Sequence, residues 1–134
     1  MKKIIIILGV IFIGSLSLIS MVEKDLLQEP WVVPSKYQKM KNPYLNAIDT
    51  DKIGRTLYVK RCKSCHGVKG KGDGKKAETL DTEVGDFTDE SFKDQTDGAL
   101  YYKTLFGRDD MPSFKKKIIE EKNQWLLINY IKSF

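Results

Sequence analysis

The chain has 134 residues, a length that favours a single domain. Its formal net charge at pH 7 is +5, an excess too small to indicate a nucleic-acid-binding protein. With two cysteines and one histidine, it also has too few thiolate and imidazole donors for a structural zinc site of four such ligands.

The N-terminus combines positive charge with an apolar segment. Lys2 and Lys3 precede residues 4–22, which carry no charge until Glu23. A cationic start followed by an apolar run predicts either a cleaved signal peptide or an N-terminal membrane anchor over residues 1–22. In both cases the lysines favour the cytoplasmic side, so the rest of the chain is expected outside the cytoplasmic membrane, in the periplasm or an equivalent space.

Residues 23–50 are predicted to form a proline-containing tether. The segment holds three of the four prolines, and proline disfavours regular structure because it fixes φ and lacks an N–H donor. Trp31-Val32-Val33 is too apolar for a free linker. We therefore expect it to pack against the domain or to lie at the membrane interface.

A first helix is predicted immediately before Cys62. Asp49 or Thr50 can accept its first backbone N–H groups, and Asp51 would place a negative charge in its first turn. Its apolar positions recur at helical spacing, namely Ile53, Leu57 and Tyr58. Gly54 costs about 1 kcal/mol relative to alanine inside a helix, so we expect it to mark a close approach to another backbone.

The stretch Cys62-Lys63-Ser64-Cys65-His66 reads C-x-x-C-H, the attachment signature of a c-type haem. Two thiols add across the two vinyl groups of a porphyrin, and the adjacent histidine can bind the iron as proximal ligand. The sequence thus predicts one haem c per chain, held by Cys62, Cys65 and His66. A disulfide between these cysteines would close almost no loop, and a thioredoxin-like site would need strands that the sequence lacks.

A glycine-rich turn and a long acidic segment follow the motif. The glycines are Gly67, Gly70, Gly72 and Gly74. We expect them to let the backbone approach a flat ligand, because their spacing does not fit a phosphate-binding loop. Residues 75–97 are polar and weakly periodic, and a loop of this length needs a surface to pack on.

Two further helices are predicted in the C-terminal part. Asp97 is expected to cap a helix that runs to Phe106 and ends at Gly107. The last helix is predicted over residues 115–133, and its apolar positions are Ile118, Ile119, Trp125, Leu126, Leu127, Ile128, Tyr130 and Ile131. No segment alternates as a strand, so residues 51–134 are predicted to be an all-α domain with about three main helices. A domain this small often needs a covalent staple, so its folding is expected to depend on haem attachment.

The second axial position of the iron has three candidates, which are a methionine, a lysine or no protein ligand. Met111 is the only methionine after the motif, and it lies in a predicted loop before Pro112. We expect Met111 to be the distal ligand, with a thioether that raises the reduction potential. A filled sixth position keeps oxygen and peroxide away from the iron. This favours electron transfer over catalysis, and no catalytic residue is assigned.

Residues 51–134 resemble the class I cytochromes c in their small single-haem bacterial form. The resemblance is carried by Gly54 and Tyr58, by residues 62–67, by the turn 70–74, by residues 109–114 and by residues 125–130. It implies a cytochrome c fold, in which helices wrap around a covalently attached haem. It also implies that Gly54 and Tyr58 lie where the first helix crosses the last, against Leu127 and Tyr130.

The same resemblance implies a set of haem contacts. Cys62 and Cys65 would form the thioethers, and His66 and Met111 would be the axial ligands. Residues 75–97 match no motif of the family. The candidates for contact with the haem propionates are Trp125, Arg108 and Tyr102.

Charge is unevenly distributed around the motif. Basic residues dominate residues 60–76 and acidic residues dominate residues 78–97. One interpretation is that the two charged segments are solvated faces. The other is that the basic segment is a rim that steers an acidic redox partner to the haem edge, with Lys63, Lys69 and Lys71 as its docking residues. The favoured function is a single-electron carrier of a respiratory chain. The alternatives are a membrane-held subunit of a larger oxidoreductase complex, and a haem enzyme or gas sensor with an open iron.

Overall fold

The computed structural model describes residues 29–134. The signal peptide or anchor expected over residues 1–22 lies outside the described residues. By its internal contacts the chain divides into two units, Met1–Val32 and Val33–Phe134. In the part of the chain that the structure describes, no helix is both long enough and apolar enough to cross a membrane.

The described residues form a helical domain. Its α-helices are α1 (Ser35–Gln38), α2 (Ile53–Arg61), α3 (Lys63–His66), α4 (Glu90–Lys93), α5 (Asp97–Phe106) and α6 (Glu121–Lys132), and Ala77–Thr79 forms one 3-10 turn. Residues 29–134 contain no strand, only an isolated bridge between Arg108 and Met111. The prediction of an all-α domain with three main helices, α2, α5 and α6, is confirmed.

Helices α2 and α6 cross at Gly54. A Cβ atom at this position would overlap the Leu126 carbonyl oxygen and lie 3.0 Å from the Cβ of Tyr130. One turn later the Tyr58 ring packs against Tyr130, with ring centroids 5.4 Å apart, and shares a buried cluster with Leu127. The predicted crossing is confirmed, although the backbone that Gly54 meets is that of Leu126.

Helix α6 contributes residues to two hydrophobic clusters. The first holds Tyr58, Cys62, Phe87, Phe114, Ile118, Leu127 and Ile131. The second holds Leu100, Trp125 and Ile128. Because Cys62 is a member of the first cluster, the haem-attachment motif is built directly on the core.

Residues 33–50, which lie within the predicted tether, belong to the same compact unit as the main helices, since this unit begins at Val33. Tyr37 on α1 packs on Tyr102 at a centroid distance of 4.8 Å, and Asn42 donates to the Asn129 side chain at 2.7 Å. Helix α1 forms despite the prolines because Pro34 lies at its N-cap, where no N–H is needed. The segment is therefore a strap that packs on α5 and α6.

Two helix starts differ from the predictions. Helix α5 is capped by Thr96, whose hydroxyl accepts from the Ala99 N–H at 3.1 Å, and Asp97 is the first helical residue. Asp49 caps α2 as predicted, accepting from Ile53 N and Gly54 N at 2.8 Å each. Asp51, however, lies in the turn before α2, because the chain enters the helix through a left-handed residue at position 52.

The last helix is shorter than predicted. It covers Glu121–Lys132, whereas residues 115–117 form a turn and residues 118–120 an irregular link. The N–H groups of Phe114 and Lys115 both donate to the Leu105 carbonyl, which holds this stretch against the end of α5. As a result Ile118 is buried, whereas Ile119, expected on the apolar face, is 87% exposed.

Candidate functional site

The two cysteines and the histidine lie on a single turn that continues α2. Cys62 joins α2 to the short helix α3 with φ −113° and ψ −37°, and its carbonyl accepts from the N–H groups of Cys65 at 3.1 Å and His66 at 3.0 Å. The Cys62 N–H itself still bonds to the Tyr58 carbonyl at 2.8 Å. The structure therefore brings both thiols and the imidazole of the motif together on an element fixed by α2.

The glycine-rich turn folds back on this motif. Gly72 N–H donates to the His66 carbonyl at 3.1 Å, and Gly74 N–H donates to the Cys65 carbonyl at 3.0 Å. These bonds satisfy carbonyls that the end of a helix would otherwise leave without partners. A Cβ at Gly74 would lie 2.6 Å from the Cys65 carbonyl carbon. Gly74 thus lies against the motif's own backbone, and the approach of the glycines to a ligand remains a prediction.

Tyr58 closes the turn from the core side. Its buried hydroxyl donates to the Gly67 carbonyl at 2.7 Å, and burial of the ring raises the pKa of the phenol well above its usual value. The hydroxyl therefore stays protonated and remains a donor at any physiological pH. Gly67 adopts φ +79°, a conformation that glycine takes without strain.

The His66 side chain is half-buried, and its imidazole is in a form suited to binding a metal. Burial lowers its pKa to about 4, against a smaller opposing effect of the Gly85 carbonyl, so the ring is neutral at pH 7. The ring stacks on Phe87 at a centroid distance of 4.4 Å. Among residues 29–134, its buried Nδ1 has no hydrogen-bond partner. A neutral imidazole is the form that binds iron. A buried nitrogen without a hydrogen-bond partner costs free energy in a folded protein.

Both cysteines are free thiols. Burial, and then the field of Cys65, raise the pKa of the Cys62 thiol to about 12. Catalytic dithiols require the opposite shift, toward a reactive thiolate. The buried, protonated Cys62 therefore fits a structural attachment point better than a redox-active dithiol.

Met111 lies on a separate loop, just after α5. The loop is a tight turn in which Arg108 and Met111 exchange two backbone hydrogen bonds of 2.9 and 2.8 Å. Gly107 adopts φ +68°, and a Cβ there would overlap the Met111 carbonyl oxygen and lie 2.6 Å from the Pro112 carbonyl carbon. Met111 itself is half-buried. Its backbone is thus well defined by the turn.

A contact that the sequence did not predict joins this turn to the acidic segment. The Asp110 carboxylate accepts from the Thr82 backbone N–H at 2.9 Å, and also from the Thr82 hydroxyl. The hydroxyl bond, followed by the backbone bond, lowers the pKa of Asp110. The two residues are 28 positions apart, and no periodicity or motif relates them.

The three candidates for propionate contact all have partners within the chain. Trp125 is 1% exposed and stacks on Tyr101 at 4.1 Å. Tyr102 stacks on Phe106 at 4.8 Å, and Arg108 pairs with Asp109 at 3.0 Å. Trp125 is therefore a core residue, and propionate contact by any of the three remains a prediction.

The docking residues proposed from charge lie on the surface. Lys63, Lys69 and Lys71 are all exposed, and so is Val68 beside them. Lys71 is close enough to Asp86 to contribute to lowering the pKa of that carboxyl, behind the larger effect of Thr88. These three lysines are available to a partner, since none is buried in the fold.

A family model described as Cytochrome c matches residues 52–134. No curated protein matches the chain at a significant level. The matched range contains Cys62, Cys65, His66 and Met111, together with all three main helices.

Proposed function

Because the chain belongs to the cytochrome c family, we propose that it carries single electrons with one covalently attached haem c, in a respiratory chain outside the cytoplasmic membrane. Family membership supports the haem and electron transfer; the axial ligands, the compartment and the pathway are our proposals. The observation that carries haem attachment and the proximal ligand is the arrangement of two free thiols and a half-buried, neutral imidazole on one turn. The bound haem supplies a reversible Fe(III)/Fe(II) couple.

Each residue of the site has a defined role in this proposal. The thiols of Cys62 and Cys65 add across the porphyrin vinyl groups, so that a C–S bond forms and the thiol hydrogen passes to the neighbouring carbon. His66 contributes a neutral nitrogen as proximal ligand, and burial keeps it from being protonated near neutral pH. The Met111 thioether is the distal ligand, and the turn from Arg108 to Met111 holds its backbone.

The experiment is an absorption spectrum of purified protein in both oxidation states, with a pyridine haemochrome assay for the haem type. We expect one haem c per chain and a six-coordinate low-spin iron. Met111→Ala is expected to lower the reduction potential and to let carbon monoxide bind the reduced protein. Met40→Ala is the matched control, because this methionine packs in the second core cluster. If Met111→Ala has the wild-type spectrum, the distal assignment is wrong.

We propose that partners dock on the basic rim formed by Lys63, Lys69 and Lys71. Exposure of all three lysines supports it, since long-range attraction accelerates encounter with an acidic surface. Oxidation of the reduced protein by the ferricyanide anion provides a probe. Changing the three lysines to glutamate should slow this reaction and remove its dependence on ionic strength. The same change at residues 115–117, also exposed lysines, is the charge-matched control, and an equal effect there would refute a localised rim.

The charge and hydropathy of residues 1–22 support a location outside the cytoplasmic membrane. The segment is compatible with two forms of the protein. One is a diffusing carrier, and the other is held at the membrane as part of an oxidoreductase complex. Fractionation of cells followed by a high-salt wash separates these two forms. Haem protein that remains in the membrane fraction after the wash would identify the anchored form.

A further inference from the structure

The turn that carries Met111 is fixed at its base by the protein core. The Ser113 hydroxyl donates to the Leu105 carbonyl at 2.6 Å, and the Phe114 N–H donates to the same oxygen at 3.2 Å. Phe114 is buried in the first core cluster. The turn projects from this base, and its tip, formed by Asp109 and Asp110, is exposed.

The tip of the turn is held by a different part of the chain. Asp110 accepts two hydrogen bonds from Thr82, one from the backbone N–H at 2.9 Å and one from the hydroxyl. Both bonds end on the same carboxylate oxygen, Oδ2. Hydrogen bonds to an ionised acceptor are stronger than those between neutral groups.

The segment that contains Thr82 leads directly to His66. Five residues after Thr82, Phe87 stacks on the His66 ring at 4.4 Å, and its N–H donates to the Gly70 carbonyl at 2.7 Å. Between them, the Val84 carbonyl lies against Gly72, so closely that a Cβ there would overlap it. The Thr82–Asp110 pair therefore joins the Met111 turn to the segment that packs against the other axial residue.

We propose that Thr82 and Asp110 form a latch that positions Met111 as the distal ligand and slows its departure from the iron. This inference rests on the axial ligation proposed above, and it assigns a function to the acidic segment. Thr82 is a positioning residue, since it acts on Met111 through Asp110 and the turn. Without the latch, the exposed tip of the turn would be held only from its base, and local opening would become more frequent.

The test measures how fast imidazole replaces Met111 in the ferric holoprotein. At high imidazole concentration this rate is limited by the departure of the native ligand. Thr82→Val removes the hydroxyl bond to Asp110 and keeps the backbone N–H, and we expect a roughly tenfold faster replacement, by the usual strength of a hydrogen bond to a charged group. Asp110→Asn keeps an acceptor but loses the charge, and should give a smaller increase.

Two control variants make the test specific. Thr82→Ser retains a hydroxyl and should stay close to the wild-type rate. Thr88→Val removes an equivalent bond in the same acidic segment, because the Thr88 hydroxyl donates to Asp86 at 2.6 Å. That bond is local, between residues two positions apart, and does not reach the Met111 turn. In the Thr88→Val protein, imidazole should therefore replace Met111 at the wild-type rate.

The outcomes separate the latch from the ligation on which it rests. A wild-type rate in both Thr82→Val and Asp110→Asn would overturn the latch, and so would equal acceleration by Thr88→Val. If wild type and Met111→Ala bind imidazole equally fast, then Met111 is not a ligand, and both proposals fail. A slow wild-type reaction that Met111→Ala accelerates, with Thr82→Val in between, supports both.

Discussion

Replacing Gly54 by alanine tests the crossing of α2 and α6, on which the haem-attachment turn is built. The new Cβ would overlap the Leu126 carbonyl oxygen and lie 2.9 Å from the Leu126 carbonyl carbon. Both are backbone atoms that cannot rotate away, so α2 has to move off α6. Overpacking by one methyl group costs about 1–3 kcal/mol, and a backbone neighbour places this case at the upper end.

The higher helix propensity of alanine offsets part of this overpacking cost. It is a better helix former than glycine by up to about 1 kcal/mol, so the net loss of stability is about 2 kcal/mol. For a domain of this size, such a loss lowers the midpoint of thermal unfolding by about 8–16 °C. Denaturant unfolding of the oxidised holoprotein, followed by far-UV circular dichroism, measures the change directly.

Gly85→Ala is the matched control for this prediction. A Cβ at Gly85 would have nothing within 4 Å, and Gly85 is not among the glycines with positive φ. We expect it to change stability by less than about 0.5 kcal/mol, as is usual for a surface substitution. A Gly54→Ala protein as stable as wild type would refute the inference that the crossing requires glycine.

Three further predictions concern polar groups around the site. Asp49→Ala removes the carboxylate that caps α2 and should cost about 1 kcal/mol in denaturant unfolding, with Asp49→Asn closer to wild type. Tyr58→Phe leaves the Gly67 carbonyl without its donor and should cost about 1–3 kcal/mol in the same assay, because the group is buried. The pKa of Asp86 lies below its ordinary value of 3.8 because the Thr88 hydroxyl and backbone N–H donate to it. Since the lowered pKa belongs to the folded state, the carboxylate stabilises the fold above pH 3.8 and this contribution is lost as the pH falls further. In an NMR titration, Thr88→Val should raise the Asp86 pKa toward that value, and an unchanged pKa would contradict the assignment.

Features that depend on neighbouring residues could be predicted from the sequence. The C-x-x-C-H motif is contiguous, so its placement on one turn follows from helix geometry alone. The three main helices were found because their apolar residues recur at helical spacing. Gly54 was informative for a related reason, since a glycine is costly inside a helix unless another backbone lies against it.

Features that depend on tertiary contacts could not be predicted in the same way. Residues 115–120 continue the helical pattern of α6, yet the hydrogen bonds to Leu105 hold their start in a turn. The strap of residues 33–50 was expected to be irregular because of its prolines, and its packing depends on aromatic and amide partners on α5 and α6. The pairing of Thr82 with Asp110 leaves no trace in the sequence, because exposed polar residues that pair at long range have no periodicity.

His66 and Met111 are held by different parts of the fold. The stability of the region around each of them can therefore be changed separately. His66 lies at the end of an element continuous with α2, whose position is fixed by the buried α2–α6 crossing. Met111 lies on a turn outside the helices, with an exposed tip that contacts Thr82. Local opening of such a turn requires much less free energy than global unfolding. Gly54→Ala should therefore lower global stability with little effect on how fast imidazole replaces Met111, whereas Thr82→Val should do the reverse. If both variants changed both quantities in proportion, the Met111 turn would open only when the whole domain unfolds.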